Sequence, residues 1–323
     1  MIPTFGAPMA QTAIFGRETL ADTQAPAIQA PAVVVMVGLG AMGLPMAACL
    51  KKAGFSLRGV DPSPEARASF EAQVGPAFGS GRDAVTDAAA VITMLPNGKV
   101  VRDVLLGDGG IAPLLAPGTL VIDMSSSAPT DTIALAKDLA AAGLPLIDAP
   151  VSGGVKRAVD GSLAIMAGGP SEQVERARPM LAAMGRSIFP TGPIGSGHAM
   201  KALNNYVSAA GLIAACEALL VGRTFGLEPG TIVDVLNAST GKNNSTEVKM
   251  KPFVIAETYA SGFALGLMAK DLRIASDLAE HLRLDIPQIG AVADIWEKAR
   301  EALQPGADHT EIYRYLAEGA GRA

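Results

Sequence analysis

From Val33 onward, short apolar runs rich in β-branched residues alternate with longer Ala-rich segments whose apolar positions recur at three- and four-residue intervals. The successive pairs are Val33–Val37 with Gly43–Ala53, Leu57–Val60 with Pro64–Gln73, Ala90–Met94 with Val100–Leu106, and Leu120–Asp123 with Pro129–Ala141. Strand followed by helix, repeated, predicts parallel βαβ units. Leu146–Asp148 and Leu163–Gly168 read as further strands flanking a Gly-rich link, Val151–Gly154, and Ile188–Thr191 reads as a short last one. After Gly195 the strand signals stop. Helices are expected from His198 to about Gly226, from Pro229, over Leu267–Leu282, and from Pro287 to about Leu303. The expected organisation is therefore α/β: a parallel-sheet domain over residues 32–194, then a long helix leading into an all-helical domain over 195–323.

Composition narrows the function. With 323 residues, 49% of them hydrophobic, the chain can fill two cores. Its net charge of −5 and its lack of a Lys/Arg-rich block argue against nucleic-acid and anionic-membrane partners and for a small-molecule one. Cys49 and Cys216 both fall in apolar helical patterns, which fits core packing in a reducing, cytoplasmic setting. Three scattered histidines without clustered cysteines give no metal-ligand spacing. The uncharged run Ala202–Cys216 is shorter than a bilayer span and contains Asn204, Asn205 and Ser208, so it reads as a buried helix. Residues 1–31 show no periodicity and are expected to be a loose N-terminal extension.

Two features carry chemistry. Gly38-Leu39-Gly40-Ala41-Met42-Gly43 follows a strand and opens a helix, a dinucleotide-binding turn in which a pyrophosphate approaches bare backbone at a helix N-terminus. Asp61 ends the next strand about 20 residues on, where a carboxylate accepts the adenosine ribose hydroxyls and repels a 2'-phosphate. The fold is thus expected to be Rossmann-type, with NAD favoured over NADP, although Arg67 lies near in sequence. The second feature is GHAMKALNN, residues 197–205, where Lys201 is a charge inside an apolar helix. Such a lysine either snorkels to water or works.

Six segments in order decide between these. Val37–Met46, Thr93-Met-Leu-Pro96, Asp123-Met-Ser-Ser126, Asp148–Gly154, the lysine segment and Met268-Ala-Lys-Asp-Leu272 together resemble the β-hydroxyacid dehydrogenase family typified by 3-hydroxyisobutyrate dehydrogenase. The resemblance implies an NAD(P)-binding domain, a helical domain and an active site between them. It also implies reversible oxidation of a hydroxyl β to a carboxylate, with Lys201 as general acid/base and Asn205, one turn later, holding the substrate hydroxyl or the lysine. Ser152, Gly153 and Gly154 match the carboxylate-binding loop; Leu95 and Pro96 match the turn over the cofactor; Ser126 falls beside the nicotinamide ribose; Lys270 matches a lysine across the cleft. A homodimer or homotetramer is expected. His198, one turn before Lys201, has no carboxylate near it in sequence and reads as a structural or surface histidine. Phosphogluconate dehydrogenases and imine reductases share the architecture in outline. Lys242, Asn243, Asn244, Lys156 and Arg157 suggest a hydroxylated or anionic substrate, with tartronate semialdehyde reduction or sugar-acid oxidation as alternatives. A non-catalytic dinucleotide-binding protein is the rival of another class.

Overall fold

The computed structural model describes residues 26–321. Residues 1–25 of the expected extension lie outside them; Ile28, further along it, is buried in the core and donates its N–H to the Arg176 carbonyl at 2.9 Å. The first half alternates as expected: β1 (Val33–Val37), α1 (Gly43–Lys52), β2 (Ser56–Val60), α2 (Pro64–Gln73), β3 (Ala77–Phe78), β4 (Ala88–Thr93), α3 (Gly98–Leu106), β5 (Leu120–Asp123), α4 (Pro129–Ala141) and β6 (Leu146–Asp148). Then come β7 (Val151–Ser152), α5 (Gly154–Val159), β8 (Leu163–Gly168), α6 (Ser171–Met184) and β9 (Gly185–Gly192). The helical half comprises α7 (Ser196–Phe225), α8 (Pro229–Ala238), α9 (Asn244–Val248), α10 (Leu265–His281), α11 (Pro287–Ala302) and α12 (Ile312–Gly319).

The strands form one nine-stranded sheet in the order β3-β2-β1-β4-β5-β6-β8-β7, with β9 also on β8. Pairing is parallel from β3 through to β6, while β8 runs antiparallel to β6 and β7. β1 is a continuous apolar run because helices cover both faces of a central parallel strand; four of its five residues are buried. The chain runs outward from β1 to β2 and β3, then returns to β4 on the other side. A crevice therefore opens at the C-terminal ends of β1 and β4, the place where open α/β sheets take ligands.

Several elements were absent from the sequence reading. α6 runs through Pro179, a residue that normally breaks a helix, because Val174, Ala177, Met180, Leu181 and Met184 bury one face against the sheet. The link at Val151–Gly154 resolves into β7 and the start of α5.

By length and composition alone, α7 is long and apolar enough to cross a membrane. In this fold it is the axis of the helical half. Ala209, Leu212, Ile213, Cys216 and Leu219 join a core with Met268, Leu272, Val292 and Trp296 from α10 and α11.

Candidate active site

The glycine turn is built by close backbone approach. Gly38 has φ +94°, and a Cβ at Gly43 would stand 1.9 Å from the Gly38 carbonyl oxygen, so only glycine lets α1 start there. A Cβ at Gly40 would meet nothing within 4 Å, which leaves its backbone open to a ligand. Asp61, at the end of β2, is locked toward this turn: its carboxylate accepts the Leu39 N–H and the Ser63 N–H, each at 2.8 Å. The Arg67 guanidinium donates to the carbonyls of Asp61 and Pro62, both at 2.9 Å, and so reaches the same corner.

The neighbouring loops are organised by a second acid. Asp123, buried at the end of β5, accepts the Thr93 hydroxyl at 2.9 Å, the Ser125 N–H at 3.0 Å and the Ser127 hydroxyl at 3.0 Å. The Ser125 hydroxyl in turn accepts the Leu95 N–H at 3.0 Å, which ties the Leu95-Pro96 turn to the segment bearing Ser126. Ser152 lies in β7, and Gly153 and Gly154 both have positive φ at the entry to α5. Gly153 is overlaid by the Arg157 stem, within 2.4 Å of where its Cβ would be.

A third acid sets the origin of α7. The cap residue of that helix, Gly195, has no side chain to close it; Asp148, at the end of β6, reaches across and accepts the Gly195 N–H at 2.7 Å and the His198 N–H at 2.8 Å. A carboxylate at the positive end of a helix stabilises it by about 0.5–2 kcal/mol. Lys201 follows one turn later, half-buried. Among the described residues its amine has no hydrogen bond or ion pair. Burial pushes its pKa down from the ordinary lysine value, the Asp271 carboxylate opposes that shift, and the Lys270 ammonium adds to it. Asn205 is buried, and its amide donates to Asp271 Oδ2 at 2.5 Å. Lys270 Nζ lies 3.0 Å from Asp271 Oδ1 and donates to the Ser126 carbonyl at 2.6 Å, joining α10 to the loop after β5.

Two family models cover this arrangement end to end. The NAD-binding domain of 6-phosphogluconate dehydrogenase matches residues 33–192, and the NAD-binding domain of NADP-dependent 3-hydroxyisobutyrate dehydrogenase matches residues 195–316. A 2-(hydroxymethyl)glutarate dehydrogenase of Eubacterium barkeri is 34% identical over 82% of this chain and 88% of its own length. The chain belongs to the β-hydroxyacid dehydrogenase family.

An NAD-dependent L-serine dehydrogenase of Pseudomonas aeruginosa is 40% identical over 76% of this chain and 85% of its own. The structure of Mycobacterium tuberculosis 3-hydroxyisobutyrate dehydrogenase with L-serine superposes with a TM-score of 0.82 at 35% identity, covering 88% of this chain and 99% of that one. As a β-hydroxyacid dehydrogenase the protein is an NAD(P)-dependent oxidoreductase acting on CH–OH groups, with a Rossmann-like sheet and a helical C-terminal half. These relatives do not favour tartronate semialdehyde reduction, sugar-acid oxidation or a non-catalytic role.

Structure changes the weight of three residues in this dehydrogenase. His198 does have carboxylates beside it, Asp123 Oδ2 and Asp148 Oδ2, each 3.7 Å from a ring nitrogen; both come from strand ends distant in sequence. Asn243 is spent on structure, capping α9 through Ser245 and Thr246 and donating to the Gly211 carbonyl of α7 at 3.4 Å. Lys242 pairs with Glu247 at 2.9 Å. Both are thus committed locally, while Lys156 and Arg157 are exposed on α5.

The sequence reading missed Asp271, Asp123 and Asp148 as site residues. For the latter two a signal existed, since each is an acid ending a strand, the same position that singled out Asp61. For Asp271 a direct test follows from its opposing effect on Lys201. Asp271→Asn removes the negative charge that holds the Lys201 pKa up, so the neutral amine persists to lower pH. The rising limb of kcat/KM for alcohol oxidation should move to lower pH, and a limb that stays put or moves up would show that Lys201 does not govern it.

Proposed function

We propose that this dehydrogenase oxidises a primary alcohol β to a carboxylate, HOCH2–CHR–COO−, using NAD in preference to NADP, with Lys201 as the proton carrier. The observation that carries this is the half-buried Lys201 amine, without a hydrogen bond or ion pair among the described residues and in the electrostatic field of Asp271 and Lys270, with Asn205 bound to Asp271. Three relatives are named for 2-(hydroxymethyl)glutarate, L-serine and 3-hydroxyisobutyrate, which share that hydroxymethyl carboxylate unit and differ in R.

The residues suit a bound dinucleotide: the open backbone at Gly40, flanked by Leu39, Ala41 and Met42, would hold the pyrophosphate, and the Asp61 carboxylate would take the ribose hydroxyls. When bound, the nicotinamide ring supplies the hydride acceptor. Leu95, Pro96, Ser126 and Lys270 line that side of the crevice. Ser152, Gly153 and Gly154 orient the substrate carboxylate through a hydroxyl and bare backbone N–H groups. Neutral Lys201 takes the hydroxyl proton onto Nζ as the carbonyl forms, and returns it in the reverse direction. Asn205, itself anchored to Asp271, fixes the hydroxyl.

Three further readings accompany this. Residues 32–194 form the cofactor domain and 195–323 the helical one. Val207, Val221 and Phe225 of α7 are 67%, 71% and 83% exposed, an apolar face that a homodimer or homotetramer would cover. The free thiols Cys49 and Cys216 support a cytoplasmic location.

The deciding experiment is NADH or NADPH formation with 3-hydroxyisobutyrate, L-serine and 2-(hydroxymethyl)glutarate, run with NAD+ and NADP+ respectively. At least one acid should be oxidised, with the higher kcat/KM for NAD+. Asp61→Ala should narrow that preference, because the carboxylate no longer repels a 2'-phosphate and Arg67 remains at the same corner. No turnover on any of the three would overturn the substrate class; an unchanged cofactor ratio in Asp61→Ala would overturn the assignment of Asp61.

A further inference from the structure

We propose that His198 is a positioning residue: it sets the distance between the proton carrier on α7 and the cofactor side of the crevice by clasping the loop after β5. The proposal rests on the reading of Lys201 as proton carrier. Its imidazole is buried where three elements of the sheet half meet α7. Nε2 lies 3.1 Å from the Ser125 carbonyl oxygen, and since a carbonyl only accepts, that nitrogen carries the hydrogen. Nδ1 pairs with the Thr132 hydroxyl in the first turn of α4 at 2.8 Å. Asp123 and Asp148 flank the ring, and Asp148 also accepts the His198 N–H.

The next carbonyl along the loop, that of Ser126, accepts Lys270 Nζ. Two consecutive carbonyls of one loop are therefore held by side chains of the two helices that carry the rest of the site: His198 from α7, three residues before Lys201, and Lys270 from α10, next to Asp271. The same loop holds the Leu95 turn through the Ser125 hydroxyl. A shift of Ser125 would thus move both cofactor-side turns relative to Lys201.

A purely structural role predicts less. Removing the imidazole alone would leave the Ser125 carbonyl and the Thr132 hydroxyl unpaired beside two buried carboxylates, so a structural role predicts lost stability and nothing more. A positioning role predicts lost rate in the folded variant as well, because proton and hydride must leave adjacent atoms of one substrate, and a displacement of about 1 Å costs on the order of 100-fold in rate.

The test compares three variants of the full chain. His198→Gln keeps an N–H donor of similar reach, His198→Asn keeps polarity but is too short for the Ser125 carbonyl, and His198→Leu removes the donor. With whichever hydroxy acid the wild type oxidises, kcat should fall about 10- to 100-fold in the Asn and Leu variants and be largely retained in Gln. The isotope effect from deuterium on the hydroxymethyl carbon should rise in parallel, as hydride transfer becomes limiting. Amide hydrogen exchange over residues 124–127, which needs no substrate, should accelerate in Asn and not in Gln. If Leu fails to fold, the Gln and Asn pair decides alone. Variants that lose only melting temperature while kcat, isotope effect and loop exchange stay at wild-type values overturn the proposal, as does Gln behaving like Asn. Failure of the Lys201 reading would show separately, as retained turnover in Lys201→Ala.

Discussion

Lys201→Ala lowers turnover by about 10²–10⁴-fold, the usual worth of a positioned general acid/base, and leaves NADH binding nearly intact. The size of the effect follows from the position of the amine. Burial disfavours its charged form and so favours the neutral base against the opposing Asp271 carboxylate, and the amine makes no hydrogen bond or ion pair among the described residues. Alanine is a good helix residue and α7 continues for more than twenty residues beyond this point, so the fold should survive. Two measurements check it: steady-state turnover with the active hydroxy acid, and NADH affinity by fluorescence titration. Wild-type turnover in the variant would remove Lys201 from the reaction. Lost NADH affinity together with lost turnover would mean that the lysine serves the cofactor rather than the proton.

Gly43→Ala weakens NADH binding on the order of 100-fold, the scale of a backbone displacement in a site that depends on close approach. The added methyl would stand 1.9 Å from the Gly38 carbonyl oxygen, and that atom belongs to the turn itself, so relief requires the turn to open. Opening it displaces Leu39, whose N–H is the tether to Asp61, and so detaches that acid from the glycine turn. Gly40→Ala is the matched control, since its methyl meets nothing within 4 Å of the protein and any loss there reports on space the ligand needs. NADH titration of both, with thermal melting to separate binding from folding, tests this; Gly43→Ala binding at wild-type strength would show that the turn is not the cofactor cradle.

How much of this was legible beforehand differs from residue to residue. Gly38–Gly43 and Asp61 could be read because their geometry is local or set by one βα unit: a strand, a turn, a helix and the end of the next strand. Lys201 stood out as a charge in an apolar helix, although its role came with the family resemblance rather than from the helix pattern. α6 is masked by Pro179 although Val174, Ala177, Met180, Leu181 and Met184 recur at helical spacing, and it takes the sheet beneath them to offset the proline. The carboxylates beside His198 come from strand ends distant in sequence, and Asn243 is spent on capping α9.

By itself, then, the sequence determined the alternation of strands and helices, the change to an all-helical half near residue 195, the glycine turn with its acid, and the lysine that stands alone. Only the tertiary structure decided what surrounds that lysine. Asn205 meets Asp271 across 66 residues, His198 meets Ser125 across 73, and Lys270 meets Ser126 across 144. Periodicity reports which side chains share a face within a turn or two of the chain; it carries no information about which faces meet. That choice is made by the packing of α7 and α10 against the ends of the strands, where Asp123 and Asp148 hold the loops and the helix start in place.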